Sequence, residues 1–353
     1  MDSRELVTRV LNRQPVERIP MYDSYWNEVI RDFHEQGVPE NMSMEDYFKL
    51  DIGLFYFEQD FLLPTEVLDV NENVRTEKDG WGTTNKVFLD SQSTPGMIDF
   101  AVKTRDEWEN TYKKKLQYGE GRIDWADITA KYEALRAKGK CAVLSMLDPF
   151  ECTCHVVSPE EQYMLLITDP DWLKDMYDTH TRLIEDSWKA LQERGIKPDA
   201  LWLFGDIAYN KGMMFSPDTY RSLLKPFHAR LADLAHGSEA HLIYHTDGNP
   251  TAVLPDLIEA GIDCLHPMEV KAGMDVLDLK NKFGDQVVFM GNIDARFFQK
   301  NDLEGLEREI RSKIPAAMEG GGYIYHSDHS IPPGTTLETY EFAMNLVREL
   351  GRY

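Results

Sequence analysis

Eight short apolar runs alternate along the chain with amphipathic segments, and this alternation constrains the fold more than any other feature of the sequence. Each run has the length of a strand, and helical apolar stripes separate most of them. Because a connection between parallel strands must cross over, such alternation is typical of a parallel sheet. The predicted strands are residues 19–22, 52–57, 142–147, 200–204, 241–244, 264–266, 287–290 and 323–325.

Eight such units predict an α/β fold of the (β/α)8 barrel type that occupies residues 1–353 as a single domain. No Gly-x-Gly-x-x-Gly follows the first run, which argues against a dinucleotide-binding sheet. Ser158, Asp169 and Ser216 each precede a proline and predict helix starts. Residues 58–140 break the repeat. We interpret them as an insertion, with a β-hairpin over about 66–104 and helices near 106–115 and 124–138.

Charge and composition exclude several classes of protein. The chain has 38 Lys+Arg against 61 Asp+Glu, a formal net charge of −23. This charge repels phosphate backbones and anionic lipid surfaces, so we expect no nucleic-acid or membrane partner. No apolar stretch reaches the roughly 18–20 residues of a membrane span. Four cysteines do not make a disulfide scaffold, and we expect a cytoplasmic protein.

Acidic and imidazole side chains follow the predicted strands, where barrel enzymes carry their chemistry. They suit a metal site or acid–base catalysis, although Asp, Asn and His at strand ends also close turns and cap helices. The acidic, amide and imidazole residues at these positions are Asp23, Glu58, Asp60, Asp148, Glu151, Asp206, His245, Asp247, His266, Glu269, Asn292, Asp294, His326, Asp328 and His329.

Two motifs are the sharpest candidates. In His245-Thr246-Asp247-Gly248 the first and third side chains lie on one side of an extended segment and can share a metal ion. The alternative is a turn in which Asp247 caps a helix near Pro250. The loop at 326–333 holds His326 and His329, which either take part in catalysis or bond backbone carbonyls.

Cys152-Thr153-Cys154-His155 has a spacing too short for a structural zinc site, so we interpret its cysteines as buried thiols. Large apolar side chains near the strand ends predict a substrate pocket, although each of them suits the ordinary core equally well. The predicted substrate-contacting residues comprise seven large apolar or aromatic residues and three polar ones. They are Tyr22, Tyr25, Trp26, Phe150, Phe204, Tyr209 and Met213, together with Glu58, Glu269 and Asn292.

Several segments taken together resemble the uroporphyrinogen decarboxylase superfamily. They are residues 13–20, Asp206 with residues 212–218, residues 245–249, 279–285, 291–294 and 321–324. The resemblance covers most of the chain and is strongest in its C-terminal half. It implies a (β/α)8 barrel with an N-terminal helical extension, an active site in the barrel mouth, and a homodimer.

Within that superfamily the chain is more similar to the corrinoid-dependent methyltransferase branch. True uroporphyrinogen decarboxylases carry an N-terminal arginine motif that binds substrate carboxylates, whereas residues 21–28 here contain no arginine. Thiol-methylating members hold zinc by a His-x-Cys pair and a later Cys. His245, Asp247 and His329 fall at those positions, so the resemblance implies a site for zinc or another divalent metal.

The resemblance implies methyl transfer from a small methylated substrate, such as an O-methyl aromatic compound, to a corrinoid. No complete corrinoid motif is present, because the segment from Asp178 lacks the required glycine, so a separate protein would supply that cofactor. The catalytic candidates are Asp206, His245, Asp247, His326 and His329. The alternatives are a decarboxylase or lyase of a small carboxylate, porphyrin or not, and a barrel that binds a small ligand without catalysis.

Overall fold

The computed structural model describes residues 1–89 and 94–353. Seven strands form one parallel sheet in the order β1-β6-β7-β10-β11-β12-β13, and the other six belong to two small antiparallel sheets. The strands are β1 Ile52–Phe55, β2 Glu66–Val70, β3 Val74–Lys78, β4 Thr84–Phe88, β5 Gly96–Asp99, β6 Cys141–Leu147, β7 Ala200–Phe204, β8 Ala208–Tyr209, β9 Gly212–Met213, β10 His241–His245, β11 Cys264–His266, β12 Val288–Met290 and β13 Tyr323–Ile324.

The parallel strands are made of nearly continuous apolar residues because both of their faces are buried. One face of the sheet points into the interior of the barrel, and the other face packs against the surrounding helices. Seven of the eight predicted runs are strands of this sheet, which is the curled parallel sheet of a TIM-like barrel.

The first predicted strand, residues 19–22, is wrong as a strand, although its residues join the two edges of the sheet. Met21 makes a single parallel bridge to Tyr325, whose N–H donates to Pro20 O at 2.9 Å. On the other side, Asp51 N–H donates to Met21 O at 2.8 Å. Pro20 has no N–H, and Met21 N–H donates to the Asp51 side chain, so no regular ladder can form.

The helices lie between and before the strands of the barrel. Those that start at Pro159, Pro170 and Pro217 confirm the predicted starts, since Ser158, Asp169 and Ser216 each accept a first-turn N–H. The helices are α1 Ser3–Leu11, α2 Asn27–Glu35, α3 Met44–Tyr47, α4 Arg105–Glu107, α5 Trp125–Ala137, α6 Pro149–Val157, α7 Pro159–Thr168, α8 Pro170–Glu193, α9 Pro217–Thr219, α10 Lys225–His236, α11 Leu254–Glu259, α12 Val276–Phe283, α13 Ala295–Gln299, α14 Leu303–Met318 and α15 Leu337–Leu350.

In the insertion the structure corrects the predicted hairpin. Strands β2 to β5 form a four-stranded antiparallel sheet, and residues 90–93 of the predicted hairpin lie outside the described residues. All residues of strand β2 are exposed, so the alternation of apolar and polar residues along it does not mark a buried face. The pattern therefore could not show how many strands and turns the insertion contains. The predicted helix near 106–115 consists of α4, a π-helix over Trp108–Tyr112 and a 3-10 helix over Lys113–Leu116, whereas α5 matches the second predicted helix.

The insertion is attached to the barrel through aromatic and imidazole rings. Trp81 stacks on His155 at 5.6 Å between ring centroids, and Thr83 Oγ1 donates to His155 O at 2.8 Å. Behind them His180 packs against Trp81 and Trp108. Both ring nitrogens of His180 are buried without a hydrogen-bond partner. Burial lowers the pKa of His180 to about 3, so this histidine is neutral in the folded protein at physiological pH.

Among the described residues, no helix combines the length and the apolar character that a membrane crossing requires.

Acidification should destabilise the protein through His180. Its pKa is about 3 when folded and near 6.5 when unfolded, so the unfolded state binds the extra proton between those values. Its contribution to stability is complete above pH 6.5 and falls by up to about 1.4 kcal/mol per pH unit below it. His180→Leu should lose less stability than the wild type between pH 7 and pH 5 in urea titrations. Equal losses in both proteins would contradict the assignment.

Removing the Asp51 charge should weaken closure of the barrel. The buried Asp51 carboxylate accepts from Arg18 Nη1 and Nη2 at 2.8 and 2.6 Å, and from Met21 N at 2.8 Å. We expect Asp51→Asn to lower the free energy of unfolding by about 3 kcal/mol. Asp127→Asn, which breaks an exposed pair with Lys131 one helical turn away, should cost less than about 1 kcal/mol.

Candidate active site

The register of three neighbouring strands brings the first site residues together. His245, the last residue of β10, is level with Phe204 at the end of β7 and with His266 at the end of β11. In a parallel sheet, residues level with one another point to the same face. The Phe204 and His245 rings are therefore 4.8 Å apart, and His245 Nδ1 lies 2.7 Å from His266 Nδ1.

Asp206, His245 and Asp247 form a group that could hold a metal ion. One ligand atom from each lies within 4.8 Å of the others. His245 Nε2 is 3.7 Å from Asp206 Oδ1 and 3.8 Å from Asp247 Oδ1. Asp247 N–H donates to Asp206 Oδ1 at 2.8 Å, which links the two strand ends.

Gly248 allows the loop after Asp247 to pass close to the hairpin of β8 and β9. Its φ is +79°, and a Cβ there would lie 2.5 Å from Tyr209 N. The helix-capping role that the sequence left open for Asp247 is filled by Asn249 instead, because Asn249 Oδ1 accepts from Thr251 N at 3.1 Å. The Asp247 carboxylate is thus directed to the site, and its Oδ1 is buried without a hydrogen-bond partner.

His329 approaches Asp247 from the other side. Its Nε2 lies 3.7 Å from Asp247 Oδ2 and 3.1 Å from Glu269 Oε1. Glu269 also accepts from Gly248 N at 2.8 Å and pairs with Lys271 at 2.7 Å. The structure thus brings the predicted ligands His245 and Asp247 together and adds Asp206, while His329 lies at the rim beside Glu269.

Burial and like charges raise the pKa values of the carboxyl groups in the mouth. Burial raises the pKa of Asp247 to about 6, with His329 and Lys271 opposing the shift and Asp206 adding to it. Burial, then the charges of Asp206 and Asp148, raise the pKa of Glu151 to about 7. Burial lowers the pKa of His245 to about 3. The site therefore holds a neutral imidazole next to acids that can accept or release a proton near neutral pH.

His326 lies deeper than the sequence analysis expected. Its Nδ1 is 2.6 Å from Ser327 O, so it bonds a backbone carbonyl as the structural alternative predicted. The same nitrogen lies 3.4 Å from Oδ1 of the buried Asp23. Asp23 also accepts from the hydroxyls of Tyr325 and Tyr340 at 3.2 and 3.0 Å. His326 therefore lies in the interior of the barrel, behind the mouth.

A cavity of about 350 Å³ opens beside the group of ligand atoms, and Phe204 forms part of its wall. Its lining combines the ends of three barrel strands with the insertion, since Trp81 contributes to it from outside the barrel. The lining residues are Tyr56, Phe57, Glu58, Gln59, Trp81, Ser145, Met146, Leu147 and Phe204.

Of the predicted substrate-contacting residues, Glu58 and Phe204 line this cavity. Tyr25 packs against Phe33, Phe48 and Tyr340, and together with Trp26 it lines a separate groove beside the insertion. The other six predicted residues lie elsewhere around the mouth or in the core. They are Glu269 beside His329, Tyr22 against Trp202, Phe150 against Phe215, Tyr209 and Met213 in the β8–β9 hairpin, and Asn292 with its amide bonded to Val276, Met268 and Met274.

The donor set suits a divalent metal ion. Two carboxylates and one imidazole are ligands that Zn²⁺ and other first-row divalent ions accept. The unpartnered Oδ1 of Asp247 is a buried acceptor that a cation would satisfy. All four cysteines are free and buried, which confirms the interpretation of Cys152 and Cys154 as buried thiols, and none of them belongs to this group of ligand atoms.

The chain belongs to the uroporphyrinogen decarboxylase (URO-D) family, whose model matches residues 133–350, more than half of the chain. No curated protein matches it. Among solved structures, a methyltransferase from Methanosarcina mazei is similar over 99% of both chains, with a TM-score of 0.69 and 18% identity. At that identity the likeness supports the fold alone.

Weaker likenesses extend to other solved structures. A B12-independent methionine synthase from Shewanella sp. W3-18-1 has a TM-score of 0.44 and 11% identity over 95% of this chain and 92% of its own. The 3-keto-D-glucoside 4-epimerase YcjR from E. coli has a TM-score of 0.41 and 11% identity over 64% of this chain and 85% of its own. Neither supports any inference about the site.

Sequence reasoning left several residues of the site without a predicted role. His266 and Glu151 are among the polar residues that follow the predicted strands, but position alone did not distinguish them from residues that close turns or cap helices. Lys271 and Trp81 had no such signal, because only the folded chain brings them to Glu269 and to the cavity.

The close approach at Gly248 should be measurable with a matched glycine. Gly195 has a φ of +78°, nearly that of Gly248, but a Cβ there would meet nothing within 4 Å. Alanine introduces the same backbone strain at both positions. The difference between the two variants in free energy of unfolding therefore reports the clash with Tyr209 alone. We expect Gly248→Ala to lower the free energy of unfolding by at least about 1 kcal/mol more than Gly195→Ala. Equal values in urea titrations would contradict the geometry.

Proposed function

We propose that this protein transfers a methyl group from a small methylated substrate to a corrinoid carried by a separate protein. The observation that carries the proposal is the Asp206–His245–Asp247 group opening beside a cavity of about 350 Å³. The family and the methyltransferase from Methanosarcina mazei support this choice.

The cavity suits a small, mostly apolar methyl donor. Phe57, Met146, Leu147 and Phe204 supply apolar wall, and Glu58 supplies a polar group at the edge. An O-methyl aromatic compound or a methylamine fits this combination. Anionic substrates are disfavoured, because acidic side chains dominate the mouth of a chain with a net charge of −23.

Methyl transfer to a nucleophilic cobalt leaves the bonding electron pair on the donor oxygen or nitrogen. The site must therefore stabilise negative charge on the leaving atom. A zinc or other divalent ion held by Asp206, His245 and Asp247 would supply Lewis acidity for this purpose. Phe204 packs on the His245 ring and limits its rotation, and the Asp247 backbone holds the Asp206 carboxylate in place.

A second candidate is a decarboxylase or lyase that acts on a small carboxylate. It is favoured by the Glu151 carboxyl, whose pKa burial and the charges of Asp206 and Asp148 raise to about 7. A group with that pKa can return a proton to carbon after loss of CO2. This activity would not require a metal ion.

The first test is the metal content of the purified protein. We expect near-stoichiometric binding of Zn²⁺ or another divalent ion, measured by ICP-MS after metal loading, and at least a tenfold loss of affinity in Asp247→Asn. Asp275→Asn is the matched control, because Asp275 is an exposed helix cap of α12 and asparagine also caps helices. Equal binding by both variants would remove the metal assignment.

The reaction itself is tested with cob(I)alamin as the methyl acceptor. Metal-loaded protein should convert cob(I)alamin to methylcobalamin, followed by the loss of cob(I)alamin absorbance, in the presence of methoxylated aromatic compounds or methylamines. Asp247→Asn should be at least about 100-fold slower, because loss of a ligand removes the Lewis acid that stabilises the leaving atom. Release of CO2 from carboxylate substrates, insensitive to a chelator and lost in Glu151→Gln, would instead establish the second candidate.

A further inference from the structure

Two buried histidines, His266 and His326, lie behind His245 on the side away from the carboxylates, and the proposed chemistry uses neither of them. His245 Nδ1 is 2.7 Å from His266 Nδ1. The His266 ring meets the His326 ring edge to face, with 4.3 Å between centroids. His326 is the farther of the two from His245, and its Nδ1 lies near Ser327 O and the buried Asp23.

The contact between His245 and His266 fixes a proton between them. Two ring nitrogens can approach to 2.7 Å only if one of them donates, because two lone pairs repel each other and two N–H groups clash. A neutral imidazole has one N–H, so the choice of donor sets both tautomers. If His245 donates from Nδ1, its Nε2 presents a lone pair to the carboxylates. If His266 donates, His245 carries N–H at Nε2 and cannot bind a metal there.

The environment leaves the tautomer of His266 adjustable. His326 Nδ1 bonds the carbonyl of Ser327 and so carries the proton of that ring. The Nε2 atoms of His266 and His326 are both buried without a hydrogen-bond partner. No contact at Nε2 among the described residues therefore locks the His266 ring in one tautomer.

A purely structural role does not account for His266. Trp202 packs edge-on against it with 4.9 Å between centroids, and a leucine would fill the same space without a buried unpaired nitrogen. Leaving that nitrogen unpaired is unfavourable, because buried polar groups are normally hydrogen-bonded. The contact that distinguishes His266 from an apolar residue is the one to His245.

We propose that His266 is a positioning residue that sets the tautomer of His245, and with it whether His245 Nε2 serves as a ligand or as a donor. The inference rests on the proposed function, because it assumes that Asp206, His245 and Asp247 act together.

The exchange balances in protons. When Nε2 becomes a ligand, its proton leaves to water, and the shared proton moves from His266 Nδ1 to His245 Nδ1. His266 then takes one proton from water at Nε2. Both rings are neutral in the initial and final states, so the two states differ only in the positions of the protons.

Two substitutions of His266 separate this role from packing. His266→Asn keeps an amide near the position of Nδ1, whereas His266→Leu keeps bulk and removes the partner. Zn²⁺ affinity, measured by chelator competition, should fall about 10–100-fold in His266→Leu and be largely retained in His266→Asn. His180→Leu is the matched control, since it removes another buried histidine whose ring packs against Trp81 and Trp108 rather than against the proposed ligands, and it should bind Zn²⁺ like the wild type.

A second readout needs no metal. In metal-free protein labelled with [15N]histidine, a 15N–15N coupling across the hydrogen bond should join the two Nδ1 atoms and disappear in His266→Leu. Absence of this coupling in the wild type would overturn the proposal. So would Zn²⁺ binding that is equal in the wild type and both variants, which would leave the metal site of the proposed function intact. A wild type that shows the coupling but binds no Zn²⁺ would remove the metal assignment and retain His266 as the residue that orients His245.

Discussion

The register between adjacent parallel strands is the constraint on which the site depends. Backbone hydrogen bonds hold β7, β10 and β11 so that Phe204, His245 and His266 end at one level. No side-chain contact is needed to choose these neighbours, since the ladder fixes them. A shift of one residue in β10 would turn His245 away from the mouth and separate it from Asp206.

The parallel strands could be predicted because burial on both faces leaves a continuous apolar signal, as in residues 142–147 and 200–204. The insertion could not be resolved in the same way, because β2 is exposed on both faces and its pattern carries no information about a core. Residues 19–22 show a third case. Their apolar run is real, but Pro20 and the Asp51 side chain replace the ladder that a strand would need.

The candidate site was predictable residue by residue and unpredictable in its pairings. Strand-end position selected Asp206, His245 and Asp247, which the fold brings together. Position along the chain says nothing about which nitrogen of His245 faces Asp206 and which faces His266, since that depends on side-chain rotation about a fixed register. Tyr22 and Tyr25 illustrate the same limit, because only two residues of chain separate a ring beside Trp202 from one packed against Phe33 of α2.

Trp81 joins the cavity from the insertion, whereas Phe204 and Met146 join it from the barrel. The wall that a ligand meets is therefore built from two pieces of chain that are under different structural constraints. Barrel residues are constrained by strand register, while the insertion can change in length and sequence without disturbing that register. Diversification of ligand preference among proteins built on this plan can proceed in the insertion alone, and recombining insertions between them is a practical route to altered specificity.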